Sequence, residues 1–324
     1  MTMWKQILNY LIFIGVMLPG IVLAQAYPSK AIRLLVPFAP GSSSDVVSRI
    51  IAQRLQTTFG QPVLVENRAG AGGAIAAEAV ARAPADGYTL LTGLSASQVV
   101  NPILMAKPTY DGSADFEPVT QVGVGTFFVV VHPSMHINTL QELISYVKTQ
   151  PRGSQVYGSW GPGSGGHIVG EVLKDYTGMT MEHAPYKGSA PLVADLMAGH
   201  LKIGITDAAA SLPQIRAGKL RAIAATGSRR SPRLPELPTI AEQGVPYTTD
   251  AWTGLFAPKG TPSNITEKLY GEILKVLQDP ALSTQFQDLG YTITGVSPAE
   301  FKTIIARDTA TMKQVIQKTN IRMD

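Results

Sequence analysis

The sequence contains no cysteine. This absence excludes disulfide bonds, thiolate zinc sites, cysteine nucleophiles and lipid attachment through a cysteine. Charge is also scarce, because 27 basic and 23 acidic residues among 324 leave a net charge of only +4. No run of five basic residues occurs, which argues against a dedicated nucleic-acid binder. The sequence therefore lacks the features of a disulfide scaffold, a thiol enzyme and a nucleic-acid-binding protein.

Long apolar stretches are missing everywhere except at the start of the sequence. Lys5 precedes an apolar stretch, Ile7–Leu23, which is followed by small residues up to Ala26. This pattern is typical of a secretory signal peptide, and Pro19 lies where helix breakers commonly precede cleavage. An uncleaved anchor is the alternative, but the stretch is shorter than the roughly 20 residues that a spanning helix needs. We expect residues 1–26 to be a signal peptide cleaved near Ala26, and the mature protein to act in the periplasm.

The overall composition is that of a globular protein with two lobes. Apolar residues make up 45 % of the sequence and charged residues 15 %, so core material is ample. A typical domain of about 150 residues predicts two folded units in a chain of this length. The 31 glycines and 23 prolines predict numerous loops and tight turns.

One strand–loop–helix unit occurs in each half of the mature chain. The buried strand Ile32–Val36 leads into a Pro-, Gly- and Ser-rich loop and then a helix, with Ser44 or Asp45 as its predicted N-cap. About 120 residues later, the strand Val156–Gly158 leads into the Gly-rich loop Ser159–Gly166 and another helix. Further strands are predicted at Val63–Val65, Tyr88–Thr92, Thr180–His183 and Leu201–Ile205.

This repeat predicts an α/β protein with two lobes, each built on a parallel or mixed sheet. The segments Phe127–Val131 and Ala251–Phe256 are predicted to be the two strands at which the chain crosses between the lobes. We expect residues 27–125 and 249–324 to form lobe 1 and residues 126–248 to form lobe 2. The C-terminal helices are expected to pack on lobe 1. Ligands of such sheets bind beyond the carboxyl ends of the strands, which predicts a cleft between the two loops.

Both loops have the chemistry of an anion site. A loop that ends a strand and opens a helix presents unpaired backbone N–H groups at the positive end of the helix dipole. Glycines allow close approach of a ligand, and serine hydroxyls add further donors. The alternative is that these are ordinary strand-to-helix turns. Two equivalent loops facing one cleft favour the anion site.

Other interpretations of the second loop are open from the sequence. Gly161–Gly166 fits a dinucleotide fingerprint, with Glu182 about 20 residues further on, but Pro162 lies inside the tight turn. Ser164 and His167 form a candidate nucleophile and base for a secreted hydrolase, although no G-x-S-x-G motif surrounds this serine.

Three further features carry more than one interpretation. Asp207 ends a predicted strand and either contacts a ligand group or a bridging water, or caps the next turn. Trp160 is a poor turn residue, which favours a ring facing the ligand over one packed in the core. The cluster of Arg229, Arg230 and Arg233 lies in a Pro-rich stretch and is predicted to be a solvated surface loop, with docking as the alternative.

Short motifs along nearly the whole mature chain resemble the substrate-binding proteins of tripartite tricarboxylate transporters, also called Bug receptors. The motifs are Val36–Gly41 with Asp45, Val65–Gly73, Asp86–Leu91, Asn101–Pro102, Tyr157–Ser159, Gly163–Ser164 with Gly166–His167, Pro185–Gly188, Ile215–Ala222 and Leu237–Glu242. The resemblance implies a type II periplasmic binding fold, in which two α/β lobes joined by two crossover strands close over a small carboxylate.

The resemblance also implies which residues bind the ligand. With Trp160 added from the second loop itself, they are Phe38, Ser43, Ser44, Asp45, Ser95, Ser159, Trp160, Gly163, Ser164, Tyr186, Lys187 and Asp207. The implied partner is a membrane permease with a large and a small subunit, and no cofactor, metal or catalytic residue is expected. We expect a monomer. A hydrolase using Ser164 and His167, and a carboxylate sensor for a signalling partner, are the alternatives from other functional classes.

Three positions depart from the pattern that the resemblance implies. Ser42 stands where the family commonly has a second glycine. Trp160 takes the place of a small residue, and Pro162 that of a flexible or aliphatic one. A large ring beside the pocket suggests an aromatic or otherwise flat carboxylate as the ligand.

Overall fold

The computed structural model describes residues 27–319, so the predicted signal peptide lies outside the described residues. The strands in this part of the chain are β1 (Ile32–Val36), β2 (Val63–Asn67), β3 (Thr89–Leu94), β4 (Phe116–Gly125), β5 (Phe127–Val131), β6 (Gln155–Ser159), β7 (Met181–Pro185), β8 (Ile203–Asp207), β9 (Arg221–Ala225), β10 (Ala251–Pro258) and β11 (Tyr291–Val296).

The α-helices of the same part are α1 (Ser43–Phe59), α2 (Ala74–Ala81), α3 (Asn101–Leu104), α4 (Leu140–Thr149), α5 (Gly165–Thr177), α6 (Ser189–Ala198), α7 (Ala208–Arg216), α8 (Ser263–Leu277), α9 (Pro280–Asp288) and α10 (Pro298–Thr319). Two 3₁₀ turns, Ala71–Gly73 and Pro133–Met135, and the π-helix Ala96–Val100 complete the regular structure. The strand predicted at Ile32–Val36 has the predicted bounds, because an apolar run that ends at a proline leaves little freedom in its limits.

The strands form two mixed sheets. The first has six strands in the order β11-β4-β10-β3-β1-β2, and the second has five in the order β7-β6-β8-β5-β9. Within them, β1 pairs in parallel with β2 and β3, and β6 pairs in parallel with β7 and β8. In the first sheet β10 is antiparallel to β3 and β4, and in the second β5 is antiparallel to β8 and β9. Each sheet thus keeps a parallel part, where the predicted loops lie at strand ends.

The chain crosses between the sheets at two points that lie side by side. β4 ends in the first sheet at Gly125 and β5 begins in the second at Phe127, so the single residue Thr126 joins them. The return crossing lies between β9 and β10. The Phe127 N–H donates to Oγ1 of Thr226 at 3.0 Å, and the Thr226 N–H donates to the Phe127 carbonyl at 2.9 Å. These two bonds hold the two crossings next to each other. The predicted crossing segments Phe127–Val131 and Ala251–Phe256 each begin just after the chain has passed from one sheet to the other.

Helices cover both faces of each sheet and define two lobes. On the first sheet, α1 and α8 share one face, where Val47 and Leu269 are fully buried. The opposite face packs against α2 and α10, and Phe301 of α10 is fully buried there. On the second sheet, α5 covers one face with Ile168, and α6 and α7 cover the other with Leu192. The C-terminal helices therefore pack on the first sheet, and α10 also contacts α5 of the second lobe.

Candidate functional site

Four helices begin at the carboxyl ends of parallel strands. α1 follows β1 in the first lobe, whereas α5, α6 and α7 follow β6, β7 and β8 in the second. The first N–H groups of each helix have no acceptor within the helix, and the helix dipole adds partial positive charge there. These helix ends are the elements from which an anion site is built.

Side chains cap three of these helices. The capping bonds run from the Asp45 N–H to Ser42 Oγ at 3.3 Å, from the His167 N–H to Ser164 Oγ at 3.3 Å, and from the Ala210 N–H to Asp207 Oδ1 at 3.0 Å. The predicted cap of α1 at Ser44 or Asp45 is wrong, because the extended backbone before the helix is at Ser42. Each cap accepts the N–H of the third residue of its helix. The N–H groups of the first two residues of α1, α5 and α7 have no acceptor within the helix.

A hydrogen bond between the lobes joins two of these helix ends. Ser43 Oγ, at the start of α1, donates to Asp207 Oδ1, before α7, at 2.9 Å. The other oxygen of the same carboxylate accepts a hydrogen bond from Ser189 Oγ at the start of α6. Asp207 therefore caps α7, as one interpretation of the sequence held, and in addition it connects the two lobes. The structure is a closed arrangement of the lobes at this point.

Further contacts join the two lobes. Gly290, just before β11, lies so close to Ala208 that a Cβ built on this glycine would overlap the alanine Cβ. Arg233 donates to the Gln287 carbonyl at 3.2 Å and also pairs with Asp288, both at the end of α9. The Pro-rich stretch is thus more than a solvated loop, because Arg233 holds it against the first lobe.

The first loop is shaped by Asp45. The carboxylate is almost fully buried and accepts hydrogen bonds from the Gly41 N–H at 2.9 Å, from Asn67 Nδ2 at 2.8 Å and from Arg49 Nε at 3.0 Å. Burial acts to raise the pKa of Asp45, but the bonds from Arg49, Gly41 and Asn67 outweigh it and hold the pKa below its ordinary value. Phe38 is fixed by the same network, since its carbonyl accepts from Asn67 Nδ2 at 2.9 Å. This carboxylate supports the loop from within the first lobe.

The lowered pKa of Asp45 makes a prediction about stability and pH. Its contribution to the free energy of unfolding is expected to be complete above about pH 4 and to be lost as the pH falls through the lowered pKa. Asp45→Asn is expected to cost about 1–2 kcal/mol at neutral pH and to flatten the acid decline. Urea unfolding at several pH values measures both effects, with the exposed Asp175→Asn as control. Equal acid declines in the two variants would contradict the role assigned to Asp45.

The second loop is held by buried side chains. Ser159, fully buried at the end of β6, bonds through its hydroxyl to His183 Nε2 at 2.7 Å and to the Gly161 carbonyl at 3.2 Å. Gly163 takes φ +68°, a left-handed conformation that glycine adopts without strain, and its N–H donates to His167 Nδ1 at 3.2 Å. The Ser164 hydroxyl donates to Ser159 Oγ at 3.3 Å. The first two N–H groups of α5 therefore belong to Gly165 and Gly166, which follow Ser164.

Trp160 is half-buried in this loop and packs on two neighbours. Its ring meets the Phe127 ring edge-on, with 4.8 Å between centroids. It also covers Gly166, since a Cβ built there would lie 2.5 Å from Trp160 Cζ3. The ring thus combines packing against the crossing strand with remaining exposure beside the start of α5. The contacts show the packing of this ring, and its contact with a ligand stays a prediction.

The remaining predicted residues lie around these helix ends. Ser95 lines a cavity of about 20 Å³ together with Phe127 and Gly165, which places it between the lobes. Tyr186 donates its hydroxyl to Asp195 Oδ2 at 2.7 Å, and burial followed by this bond raises the pKa of Tyr186 to about 12. Lys187 is exposed in the turn after β7.

Two interpretations of the second loop find no support in its geometry. Glu182 Oε1 lies 3.3 Å from the position of a Cβ on Gly153, at the opposite end of β6 from the loop, so the dinucleotide fingerprint lacks its acidic partner. Ser164 caps a helix and directs its hydroxyl to Ser159, and His167 Nδ1 is occupied by a backbone N–H. The Ser164 hydroxyl therefore donates to another serine, and the imidazole nitrogen nearest the loop accepts a backbone N–H.

Three residues of the site were missed in the sequence. Asn67 and Ser189 bond to Asp45 and Asp207, and His183 holds Ser159. The signal for Ser189 was a serine two residues before Pro191, because serine and proline are both favoured at the start of a helix. Asn67 and His183 lie on strands and carry no local signal, because their partners are at least 20 residues away.

Comparison with known proteins assigns the family. The sequence model described as "Tripartite tricarboxylate transporter family receptor" matches residues 47–321. The chain belongs to this family. The curated protein BugT of Bordetella pertussis is 38 % identical over 304 residues, which covers 93 % of each chain. The family resemblance found in the sequence is thereby confirmed.

Solved structures of the tripartite tricarboxylate transporter receptor family share the fold. Rpa4515 of R. palustris with adipate is 35 % identical, with a TM-score of 0.85 over 91 % of this chain and 99 % of that one. MatC of Rhodopseudomonas palustris with bound malate is 29 % identical, with a TM-score of 0.83 over 90 % and 100 %. Receptors of this family bind solutes in the periplasm. In the described part of this chain, the helices are too short or too polar to cross a bilayer.

Proposed function

We propose that the protein captures one small organic carboxylate between its two lobes and delivers it to a membrane permease with a large and a small transmembrane subunit. The observation that carries this proposal is the Ser43–Asp207 bond, which brings the N-terminus of α1 against that of α7. In the proposed complex, the ligand carboxylate accepts the N–H groups of Ser43 and Ser44 from one lobe. The N–H groups of Gly165 and Gly166 bind it from the other.

The energies favour a site that needs both lobes. One helix end contributes about 0.3–2 kcal/mol toward a negative charge, whereas micromolar affinity requires about 8 kcal/mol. Several helix ends closing around the ligand exclude water, which strengthens each of these interactions. The receptor therefore binds tightly only when the lobes are closed.

The relatives support a small carboxylate as the ligand class. Rpa4515 was solved with adipate and MatC with malate, and both are dicarboxylates. The half-buried ring of Trp160, packed beside the start of α5, supports the narrower proposal that the ligand is flat or aromatic. We also propose that the receptor is a monomer that is exported after cleavage near Ala26. Its first lobe comprises residues 27–125 and 249–324, and its second lobe comprises residues 126–248.

A ligand screen tests the proposed function. Thermal unfolding of the mature protein is measured with malate, adipate, glutamate, citrate, benzoate and phthalate, because a ligand that binds only the folded state raises the melting temperature. At least one acid is expected to stabilise the protein by about 2.7 kcal/mol at 100 times its Kd. If none of the six acids shifts the melting temperature, the proposed function is wrong. Tight binding of citrate or glutamate without any binding of benzoate or phthalate would contradict the proposal of a flat or aromatic ligand, but not the proposed function.

A further inference from the structure

Two segments from opposite lobes meet beside the first crossing of the chain. Tyr291 of β11 pairs with Gly125, the last residue before the crossing at Thr126. The chain just before Tyr291 is the end of α9, which belongs to the first lobe. It contacts the Pro-rich stretch 228–238 of the second lobe, which we call the strap. A rotation of the lobes about this crossing therefore moves the strap relative to α9.

Arg233 makes the contact between the strap and α9. Its Nε donates to the Gln287 carbonyl at 3.2 Å, and its guanidinium pairs with the carboxylate of Asp288. Both partners lie in the last turn of α9, where the helix dipole places partial negative charge, so the helix end itself also attracts the cation. Among the described side chains, the other arginine and lysine ion pairs each stay within one lobe.

The strap is fixed to the second lobe. Arg230 Nε donates to the two carboxylate oxygens of Glu242 at 3.0 Å and 2.9 Å, and Leu237 is buried in the apolar core of that lobe. The backbone around Arg233 therefore moves together with the second lobe, whereas its partners move together with the first. The bonds of Arg233 resist any rotation that separates the two.

We propose that Arg233 is a positioning residue of the closed receptor, whose bonds to the end of α9 brace the hinge and slow the release of the carboxylate. This inference rests on the proposed function. An opening rotation must break these bonds before the ligand leaves, whereas capture by an open receptor precedes their formation. The brace therefore acts on the dissociation rate constant and leaves the association rate constant nearly unchanged.

The exposure of the pair limits the size of the effect. The Arg233 side chain is 26 % exposed and that of Asp288 is 56 % exposed, so water and salt screen their attraction. Arg233→Gln is expected to raise the dissociation rate constant about two- to fivefold. High salt is expected to raise the same constant more in wild type than in this variant, because the variant has no ion pair to screen.

Reversal of the charge is the decisive test. Arg233→Glu sets two carboxylates against each other, and it is expected to raise the dissociation rate constant about five- to tenfold. The matched control is Arg229→Glu, which makes the same change at an exposed arginine of the strap and is expected to stay within about twofold of wild type. Stopped-flow tryptophan fluorescence with the highest-affinity acid of the screen gives both rate constants.

A charge swap separates the ion pair from damage to the strap. The double variant Arg233→Glu with Asp288→Arg restores a pair of opposite charges, and its dissociation rate constant is expected to lie within about threefold of wild type. If the double variant releases the acid as fast as Arg233→Glu does, or if Arg233→Glu releases it at the wild-type rate, the inference is overturned.

A cross-linking measurement needs no ligand. The sequence contains no cysteine, so two introduced cysteines are the only thiols in the protein. Arg233→Cys with Asp288→Cys is expected to react with a short bismaleimide at least about fivefold faster than the control pair Arg229→Cys with Asp288→Cys. Equal rates would contradict the inference. If none of the six acids binds, the proposed function fails, whereas cross-linking still decides whether residue 233 joins the lobes.

Discussion

Replacing Ser43 by aspartate is expected to reduce carboxylate affinity by about a hundredfold or more. Ser43 is 8 % exposed at the start of α1, and its hydroxyl faces the carboxylate of Asp207 across the lobes. A carboxylate at residue 43 would repel both Asp207 and the ligand, and two like charges about 4 Å apart cost about 4 kcal/mol at an effective dielectric constant of 20. Calorimetric titration with the highest-affinity acid of the screen measures the loss.

The matched control for this variant is Ser263→Asp. Ser263 is also the first residue of a helix, α8 of the first lobe, but it is exposed. An acidic residue in the first turn of a helix is favourable, so both variants are expected to remain folded. Ser263→Asp is expected to bind within about twofold of wild type. Wild-type affinity in Ser43→Asp would place the ligand away from the start of α1.

Gly290→Ala is expected to lower affinity about 10- to 100-fold by preventing closure of the lobes. The new methyl group would overlap the Cβ of Ala208, which follows β8 in the opposite lobe. The lobes must then stay apart at the point where the Ser43–Asp207 bond forms. Calorimetry gives the affinity, and small-angle X-ray scattering with saturating acid reports whether the variant remains more extended than wild type.

The control variant Gly218→Ala separates the effect of backbone strain from the effect of contact between the lobes. Gly290 and Gly218 have φ values of +76° and +69°, but a Cβ on Gly218 would meet nothing within 4 Å. Both variants are expected to lose about 1 kcal/mol of stability, because alanine is strained at positive φ. Only Gly290→Ala is expected to lose affinity. An equal loss in both variants would mean that strain, and not contact between the lobes, is responsible.

Local patterns in the sequence were sufficient for most elements of the fold. The run Ile32–Val36 is apolar except for Arg33, is followed by Pro37 and forms a strand with those bounds. The repeat of strand, glycine-rich loop and helix placed α1 and α5 correctly after β1 and β6. The N-cap of α1 was misplaced because three consecutive serines and an aspartate all suit that position, and only the backbone conformation distinguishes Ser42 from the others.

The sequence indicated which loops form the candidate site, but not the hydrogen bonds that join residues from distant parts of the chain. Asp207 and the glycines of the second loop were singled out because strand ends and helix starts have recognisable residues, and the family resemblance added Ser43. The bond between Ser43 and Asp207 joins residues 164 apart in the chain. The supporting roles of Asn67 and His183 depend in the same way on partners from other strands and helices. Such pairs leave no local pattern, because they form only after the two sheets have packed.

By itself, the sequence determined the α/β class, the two repeated loops, the family and the carboxylate as the expected ligand class. The α/β class and the two loops follow from short-range properties, because apolar periodicity, turn residues and helix capping act over a few residues. The family follows from the resemblance of its short motifs, and the resemblance implies the ligand class. Only the tertiary structure decided that Asp45 supports its own loop, that Asp207 links the lobes and that Arg233 contacts the end of α9. The physical reason is that burial and hydrogen-bond partners are properties of packed surfaces, which are brought together from distant parts of the chain.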